Sequence, residues 1–170
     1  DEEIFLKYFN KHKEWKLIIA PHVIGEDHLK SILSLIKEKK VVRYTQATEE
    51  NVSDADVLII DCFGLLSSIY HYGDVAYVGG GFGVGIHNVL EAAVWDMPVL
   101  FGPNNKHFAE AQGLLHDGGG FEVFDSESFS LLINHFAEDE EFRATCGSIA
   151  GAYVESLAGA TNKVLSNVKL

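Results

Sequence analysis

The sequence has 170 residues, 47% of them hydrophobic, which is enough to bury one sizeable core and predicts a single domain. It carries 13 Lys and Arg against 25 Asp and Glu, and the formal net charge of −12 argues against a nucleic acid strand as a partner. An anionic ligand would have to be held by backbone N–H groups and a few placed side chains.

Helices and short buried strands alternate along most of the chain. Helical spacing of apolar residues predicts a helix over residues 4–9, and the apolar run 17–20 predicts a strand that Pro21 ends. An amphipathic helix follows over residues 29–36. The other predicted strands are residues 41–44, 57–60, 75–78, 99–101 and 121–123. This alternation is typical of the α/β class with a Rossmann-like, doubly wound parallel sheet.

The chain is predicted to end in a long amphipathic helix. Its apolar residues step by three or four positions from Phe142 to Val168, and no strand follows. Gly147, Gly151 and Gly159 fall inside this helix despite their poor helix propensity, which predicts close packing against a neighbouring element.

The two cysteines and the hydropathy define the expected environment. Cys62 and Cys146 have no metal-ligand spacing, as is typical of a reduced cytosolic chain. No apolar run reaches the roughly 18 residues of a membrane span, so a soluble domain is expected. The sequence opens on an acidic run without an initiator Met, and we expect it to be a fragment.

Four loops that follow predicted strands are candidate sites, because doubly wound sheets bind ligands beyond the carboxyl ends of their strands. They are residues 21–22, 62–65, 79–88 and 102–105. The second glycine run, residues 117–120, lies at the opposite edge and is predicted to be a helix C-cap and turn.

The glycine run 79–85 holds five glycines in seven residues and leads into a helix predicted to begin near His87 and Asn88. Glycines permit positive φ and close approach to a ligand, and a helix start offers N–H groups, so the run is predicted to bind phosphate. A flexible turn is the alternative. The run matches neither the dinucleotide fingerprint nor the Walker A motif.

Asn88 and Glu91 have two interpretations. They can form an N-cap with a reciprocal glutamate, a variant of the capping box. Alternatively, the Glu91 carboxylate accepts two hydrogen bonds from a sugar diol. His87, beside the glycine run, either contacts the ligand or is a partly buried histidine with protein partners.

No metal or cofactor is predicted. Asp54 and Asp56 match a D-x-D pattern, but Asp56 leads into the amino-terminal side of a strand, away from the expected ligand edge. The histidines have no zinc-site spacing. No catalytic base can be nominated from the four loops.

Three stretches resemble the carboxyl-terminal half of the 3-deoxy-D-manno-octulosonate (Kdo) transferases. Residues 74–82, 87–93 and 97–103 match that family's V-G-G-S, G-G-H-N-x-L-E-P-A and P-V-x-x-G-P patterns in order and at nearly the same spacing. Residues 20–22 resemble its A-P-R-H, and residues 61–65 its D-T-M-G-E-L. The resemblance covers residues 17–124.

The resemblance implies a metal-independent, inverting GT-B glycosyltransferase. Such an enzyme transfers Kdo from CMP-Kdo to a lipid A precursor in lipopolysaccharide biosynthesis, at the cytoplasmic face of the bacterial inner membrane. The catalytic base and acceptor groove belong to the amino-terminal half, so this chain alone should bind donor without turnover, and the full-length protein would be membrane-associated. The resemblance also implies that the sequence begins one strand inside its domain.

The resemblance implies a CMP site with the phosphate near Pro21, the nucleotide along residues 63–65, and phosphate and ribose at residues 88–91. The residues carried over to this site are Pro21, His22, Phe63, Gly64, Leu65, Gly80, Gly81, His87, Asn88, Val89, Leu90 and Glu91.

The sequence departs from the family at several of these positions. His22 replaces an Arg, which removes a permanently charged phosphate contact that Lys106 could compensate, and Leu65 replaces a Glu. The glycine loop is one residue shorter than in the family. Asn104 and His107 stand where the family usually has a His and an Asn, as if the two residues were exchanged. These differences leave open a GT-B transferase or epimerase that uses a UDP-sugar, or a non-catalytic nucleotide-sugar-binding module.

Overall fold

The computed structural model of the protein describes residues 1–159 and 166–167 and contains short parallel strands. The strands of this part are β1 (Leu17–Ile19), β2 (Val41–Arg43), β3 (Val57–Ile59), β4 (Ala76–Val78), β5 (Val99–Phe101) and β6 (Gly120–Glu122). They form two three-stranded sheets, in the orders β1-β3-β2 and β4-β5-β6, and all neighbouring strands are parallel. The predicted α/β class is therefore confirmed.

Helices precede, connect and follow the strands, largely as the alternating pattern predicts. They are α1 (Glu2–Phe9), α2 (Glu26–Leu35), α3 (Glu49–Val52), α4 (Leu66–Ile69), α5 (Leu90–Ala93), α6 (Ala109–Asp117), α7 (Ser126–Glu138) and α8 (Glu140–Leu157). Short 3-10 turns occupy Tyr44–Gln46 and Tyr70–Tyr72. None of these helices is long and apolar enough to cross a membrane.

The chain packs into two compact units. The first unit comprises Asp1–Gly73 and Val123–His135, and the second comprises Asp74–Glu122 and the described residues from Phe136 onward. That the whole chain forms one nucleotide-sugar-binding domain remains a prediction.

The first unit buries apolar side chains of α1 and α2 with those of β1 and β3. This core cluster consists of Leu6, Phe9, Ile19, Leu29, Ile32, Val57 and Ile59. Helix α2 ends at Leu35, and Ile36, predicted to be helical, has an extended backbone. The buried residues of α2, Leu29 and Ile32, are three positions apart, so the helical period places both on the face that packs into the core.

The second unit is built around β5, whose three residues are all fully buried. A strand with neighbours on both sides and covered faces needs a continuous apolar run, which residues 99–101 provide. Helix α6 ends at Asp117, its C-cap Gly118 has φ +92°, and the N–H groups of Gly118 and Gly119 both donate to the Leu114 carbonyl. The predicted C-cap and turn at residues 117–120 is thus confirmed.

Helix α8 packs closely against the residues that precede β5. A Cβ on Gly147 would collide with the Asp96 carbonyl, and one on Gly151 with the Asp96 carboxylate, which confirms close packing at these two glycines. Gly159 was wrongly predicted to be helical: α8 ends at Leu157, and Gly159 has φ +97° with open space around it. Three further positions of the predicted helix, Ala160, Val164 and Val168, lie outside the described residues.

Candidate functional site

In the second unit, the two loops that follow β4 and β5 lie at the same edge of the sheet. Strands β4 and β5 are parallel neighbours, so their carboxyl ends coincide there. The glycine run 79–85 leaves β4, and residues 102–105 leave β5. This edge is where a doubly wound sheet binds ligands.

The glycine run folds into a compact turn stabilised by its own backbone. The Gly80 carbonyl accepts hydrogen bonds from the N–H groups of Gly83, at 3.0 Å, and Gly85, at 3.3 Å. Gly80 and Gly85 adopt φ values of +92° and +149°, which an L side chain rarely permits. These glycines are therefore required by the backbone path itself, with or without a ligand.

The loop after β5 supports the glycine run from one side. Gly81 and Gly102 meet backbone to backbone, since a Cβ on Gly81 would lie 2.5 Å from the nitrogen and Cα of Gly102. The Asn104 N–H donates to the Gly81 carbonyl at 2.9 Å, and its side-chain amide donates to the Gly83 carbonyl at 2.7 Å. The two loops thus form one hydrogen-bonded structure.

The Asn88–Glu91 pair forms at the start of α5, although not as a capping box. The helix begins at Leu90, two residues later than predicted. Asn88 Oδ1 accepts from the Leu90 N–H at 3.1 Å, and Asn88 Nδ2 donates to Glu91 Oε1 at 3.0 Å. In a capping box the glutamate would instead accept from the Asn88 backbone N–H. The observed contact fixes the Glu91 carboxylate through a side chain.

A cavity of about 190 Å³ lies beside this pair within the second unit. Its lining consists of Ile86, His87, Asn88, Val89, Leu90, Phe108 and Glu110. Four of the predicted site residues, 87–90, line it together. Phe108 and Glu110 are additions that the sequence patterns did not single out, because they follow the second loop by several residues.

A buried asparagine fixes the course of that second loop. Asn105 is fully buried, and its side-chain amide donates to the Gly102 carbonyl at 2.9 Å and to Glu122 Oε1 at 2.7 Å. Asn105 Oδ1 accepts from Gln112 Nε2 at 2.6 Å. Two consecutive asparagines after a Gly-Pro turn were the available signal, but their partners are distant in sequence and could not be inferred.

In the first unit, the remaining predicted residues follow β1 and β3, which are also parallel neighbours. Pro21 and His22 follow β1, while Phe63, Gly64 and Leu65 follow β3. The Phe63 side chain is 81% exposed, and Gly64 has φ +89°. Both groups therefore lie at one edge of the β1-β3-β2 sheet.

Asp61 anchors the loop after β3. Its carboxylate accepts hydrogen bonds from the Thr45 N–H at 2.9 Å and the Thr45 hydroxyl at 2.6 Å. Burial acts to raise the pKa of Asp61, but the hydrogen bonds from Thr45 outweigh it and hold the pKa below its usual range. Asp61 is therefore ionised near neutral pH and ties the ends of β2 and β3 together.

Asp56 of the D-x-D pattern lies at the other end of β3. Its carboxylate accepts from the Lys40 N–H at 2.8 Å and from Lys16 Nζ at 3.3 Å. The hydrogen bond from Lys40 is the largest cause that holds the pKa of Asp56 below its usual range. These hydrogen bonds stabilise the turn at the amino-terminal end of β3, which accounts for an acidic side chain at this position.

The parallel strands and edge loops define a Rossmann-like domain of the type found in the carboxyl-terminal halves of GT-B glycosyltransferases. The C-terminal CMP-Kdo binding domain of WaaA from Acinetobacter baumannii has this fold: it matches 91% of this chain and 83% of its own with a TM-score of 0.76, at 21% identity.

Curated sequence relatives include Kdo transferases. The chain is 32% identical over 164 residues to the 3-deoxy-D-manno-octulosonic acid transferase of Aquifex aeolicus, and the aligned residues make up 91% of this chain and 45% of the relative. It is also 32% identical over 154 residues to a bifunctional glycosyltransferase/methyltransferase of Fusobacterium nucleatum, and here the aligned residues make up 85% of this chain and 24% of the relative. The chain is therefore related to the Kdo transferases, as its motifs implied, and spans less than half the length of these curated relatives. No protein-family model matches the chain.

Proposed function

We propose that this chain is the donor-binding half of an inverting glycosyltransferase that moves Kdo from CMP-Kdo to a lipid A precursor in lipopolysaccharide biosynthesis. The whole protein would work at the cytoplasmic face of the bacterial inner membrane, and a second half would supply the catalytic base and acceptor groove. The observation that carries the proposal is the glycine run held against the β5 loop, with Glu91 oriented by Asn88 beside it.

Backbone N–H groups are the proposed phosphate ligands. Within the described residues, the N–H groups of Phe82 and Val84 donate to no protein acceptor. Both residues are exposed, so a phosphate can reach them. Backbone donors suit a chain of net charge −12, since the overall field would repel an anion that lacked specific contacts.

Glu91 is the proposed ribose ligand. One of its oxygens accepts from Asn88, and among the described residues the other oxygen has no hydrogen-bond donor. An ionised carboxylate forms strong hydrogen bonds with hydroxyl groups, so this oxygen can receive a ribose hydroxyl. The contact to Asn88 limits the side chain to one orientation before the ligand arrives.

The other proposed CMP contacts follow the family resemblance. Pro21 and His22 would adjoin the phosphate, and residues 63–65 would run along the nucleotide. In the second unit the proposed contacts are Gly80, Gly81, His87, Asn88, Val89, Leu90 and Glu91.

Nucleotide titration tests the proposal. The 170-residue chain is titrated by calorimetry with CMP, UMP, UDP and ADP under one set of salt and pH conditions. We expect CMP to bind most tightly of the four. We also expect that this chain alone does not turn over CMP-Kdo. A preference for UDP or ADP would refute the Kdo assignment and favour a transferase or epimerase of the same fold that uses a diphosphate donor. Absence of binding to all four nucleotides would refute donor binding by this chain and favour a sensor or interaction domain that keeps the fold.

His22→Arg is expected to tighten CMP binding by about tenfold. The substitution restores the residue that the family has at this position, and arginine contributes a permanent charge and paired N–H donors to a phosphate. His22 is exposed, so the longer side chain has room. Calorimetric titration with CMP at low and high salt measures the effect, and the gain should shrink at high salt because of screening.

His22→Gln provides the control, because it keeps a polar side chain without a permanent charge. It should bind CMP about as the unmodified chain does. If His22→Arg tightened cytidine binding as much as CMP binding, or changed neither, the phosphate would not lie near residue 22.

A further inference from the structure

Asn104 donates hydrogen bonds to two carbonyl groups of the glycine run. Its backbone N–H donates to the Gly81 carbonyl at 2.9 Å, and its side-chain amide donates to the Gly83 carbonyl at 2.7 Å. Both acceptors belong to the segment proposed above to hold the donor phosphate. One residue of the β5 loop therefore contacts the run at two points, two residues apart.

The geometry of the peptide bond links these carbonyls to the proposed phosphate donors. The Gly81 carbonyl shares a plane with the Phe82 N–H, and the Gly83 carbonyl shares one with the Val84 N–H. The structure has no cis peptide bonds, so in each plane the N–H points opposite to the carbonyl. Carbonyls drawn toward Asn104 thus direct the N–H groups of Phe82 and Val84 away from it.

Neither of those two N–H groups donates to a backbone acceptor within the described part of the chain. From this coincidence we infer that Asn104 is a positioning residue, which orients the N–H groups of Phe82 and Val84 toward the phosphate of the donor. The inference rests on the proposed function, and it assigns no contact between Asn104 and the ligand.

A hydrogen bond that fixes the orientation of a peptide plane has its largest effect in a glycine-rich segment. Glycines have the largest conformational freedom to lose, and the run offers few side chains that could restrict it. Val84 makes no packing contact that would fix its peptide plane, since its side chain is fully exposed. The hydrogen bond from the Asn104 amide is thus the restraint on the plane that precedes it.

The side chain of Asn104 is exposed, so its removal should leave the fold intact. Asn104→Ala removes the bond to the Gly83 carbonyl and keeps the backbone bond to the Gly81 carbonyl. Asn10→Ala is the matched control: in the first unit, the Asn10 amide donates to the Leu35 carbonyl at 2.8 Å in a similar side-chain-to-backbone contact.

The test compares CMP with cytidine, which lacks the phosphate, by calorimetry on the 170-residue chain. Asn104→Ala should raise the Kd for CMP about fivefold to tenfold, as expected for one lost hydrogen bond, and leave the Kd for cytidine unchanged. Asn10→Ala should leave the ratio of the two Kd values unchanged, even if it lowers the melting temperature. In spectra of ¹⁵N-labelled protein, CMP should shift the amide signals of Phe82 and Val84.

Parallel weakening of CMP and cytidine by Asn104→Ala would overturn the inference, because it would indicate a general structural role. Unchanged CMP affinity in that variant would overturn it as well, while leaving the proposed function standing. If the unmodified chain itself failed to bind CMP, the proposed function would fall, and this inference with it.

Discussion

Glu91→Ala is expected to weaken CMP binding by about 1 to 3 kcal/mol. The substitution removes a carboxylate that the structure orients through Asn88, and with it the charge-assisted hydrogen bond proposed for the ribose. Calorimetric titration of CMP against the variant and the unmodified chain gives this difference directly. The melting temperature should change little, because the Asn88 side chain still accepts from the Leu90 N–H.

Glu91→Gln separates the charge from the shape. It keeps an acceptor of similar size, so its CMP affinity should fall between those of the unmodified chain and Glu91→Ala. A 2′,3′-dideoxy analogue of CMP should bind the unmodified chain and Glu91→Ala about equally. Intact CMP affinity together with a lowered melting temperature would show that Glu91 serves only to begin α5.

Gly147→Ala is expected to lower the free energy of unfolding by about 2 to 3 kcal/mol. In an ordinary helix the same change would stabilise the protein by about 1 kcal/mol, because alanine has the higher helix propensity. Here the new Cβ would lie 2.8 Å from the Asp96 carbonyl carbon and 3.2 Å from the Met97 Cα. Backbone atoms just before the buried strand β5 cannot rotate away as a side chain could, so α8 must shift.

Chemical denaturation measures this effect, and Ser148→Ala is the control. Ser148 is the next residue of α8 and is exposed, so the substitution should change the free energy of unfolding by less than about 0.5 kcal/mol. A Gly147→Ala variant as stable as the unmodified chain would mean that the contact between α8 and the residues before β5 is looser than the structure shows.

The strands were the most predictable part of the fold. Short apolar runs bounded by Pro, Gly or charged residues located the six strands of the described residues to within about a residue at each end. The central strands β3 and β5 have neighbours on both sides and therefore few alternatives to a continuous apolar run. Tyr44, predicted at the end of a strand, instead begins a 3-10 turn. Hydrophobicity alone could not show that Tyr44 lies outside the strand, because the strand ends where its pairing with β3 ends, at Arg43.

Helix ends were predicted less well, because side-chain hydrogen bonds determine them. Asn88 has the residue type of an N-cap, but its amide also reaches the Glu91 carboxylate, and α5 begins only at Leu90. At the other end of the chain, the apolar spacing continues beyond Leu157 although α8 stops there. The stop coincides with Gly159, which directly follows the C-cap residue Ala158 and has φ +97°. Glycines often occupy this position after a helix, and the hydrophobic period alone does not register that signal.

The meeting of the loops after β4 and β5 at one sheet edge was predictable from the sequence. The contacts that shape it were not, because Asn104 and Gly83 lie 21 residues apart and Asn105 and Glu122 lie 17 apart. Sequence spacing identifies residues within one helix turn or one loop, whereas these contacts depend on how neighbouring strands bring separate loops together. Such pairings become visible only in the structure.

The backbone contact between Gly81 and Gly102 constrains how this site can evolve. A Cβ at either position would enter the backbone of the other, at 2.5 Å in one direction and 2.7 Å in the other, so neither residue can acquire a side chain. No substitution at the partner restores the space, since each residue is already the smallest possible. We therefore expect substitutions that change ligand preference to fall at the residues around this contact and to leave both glycines in place.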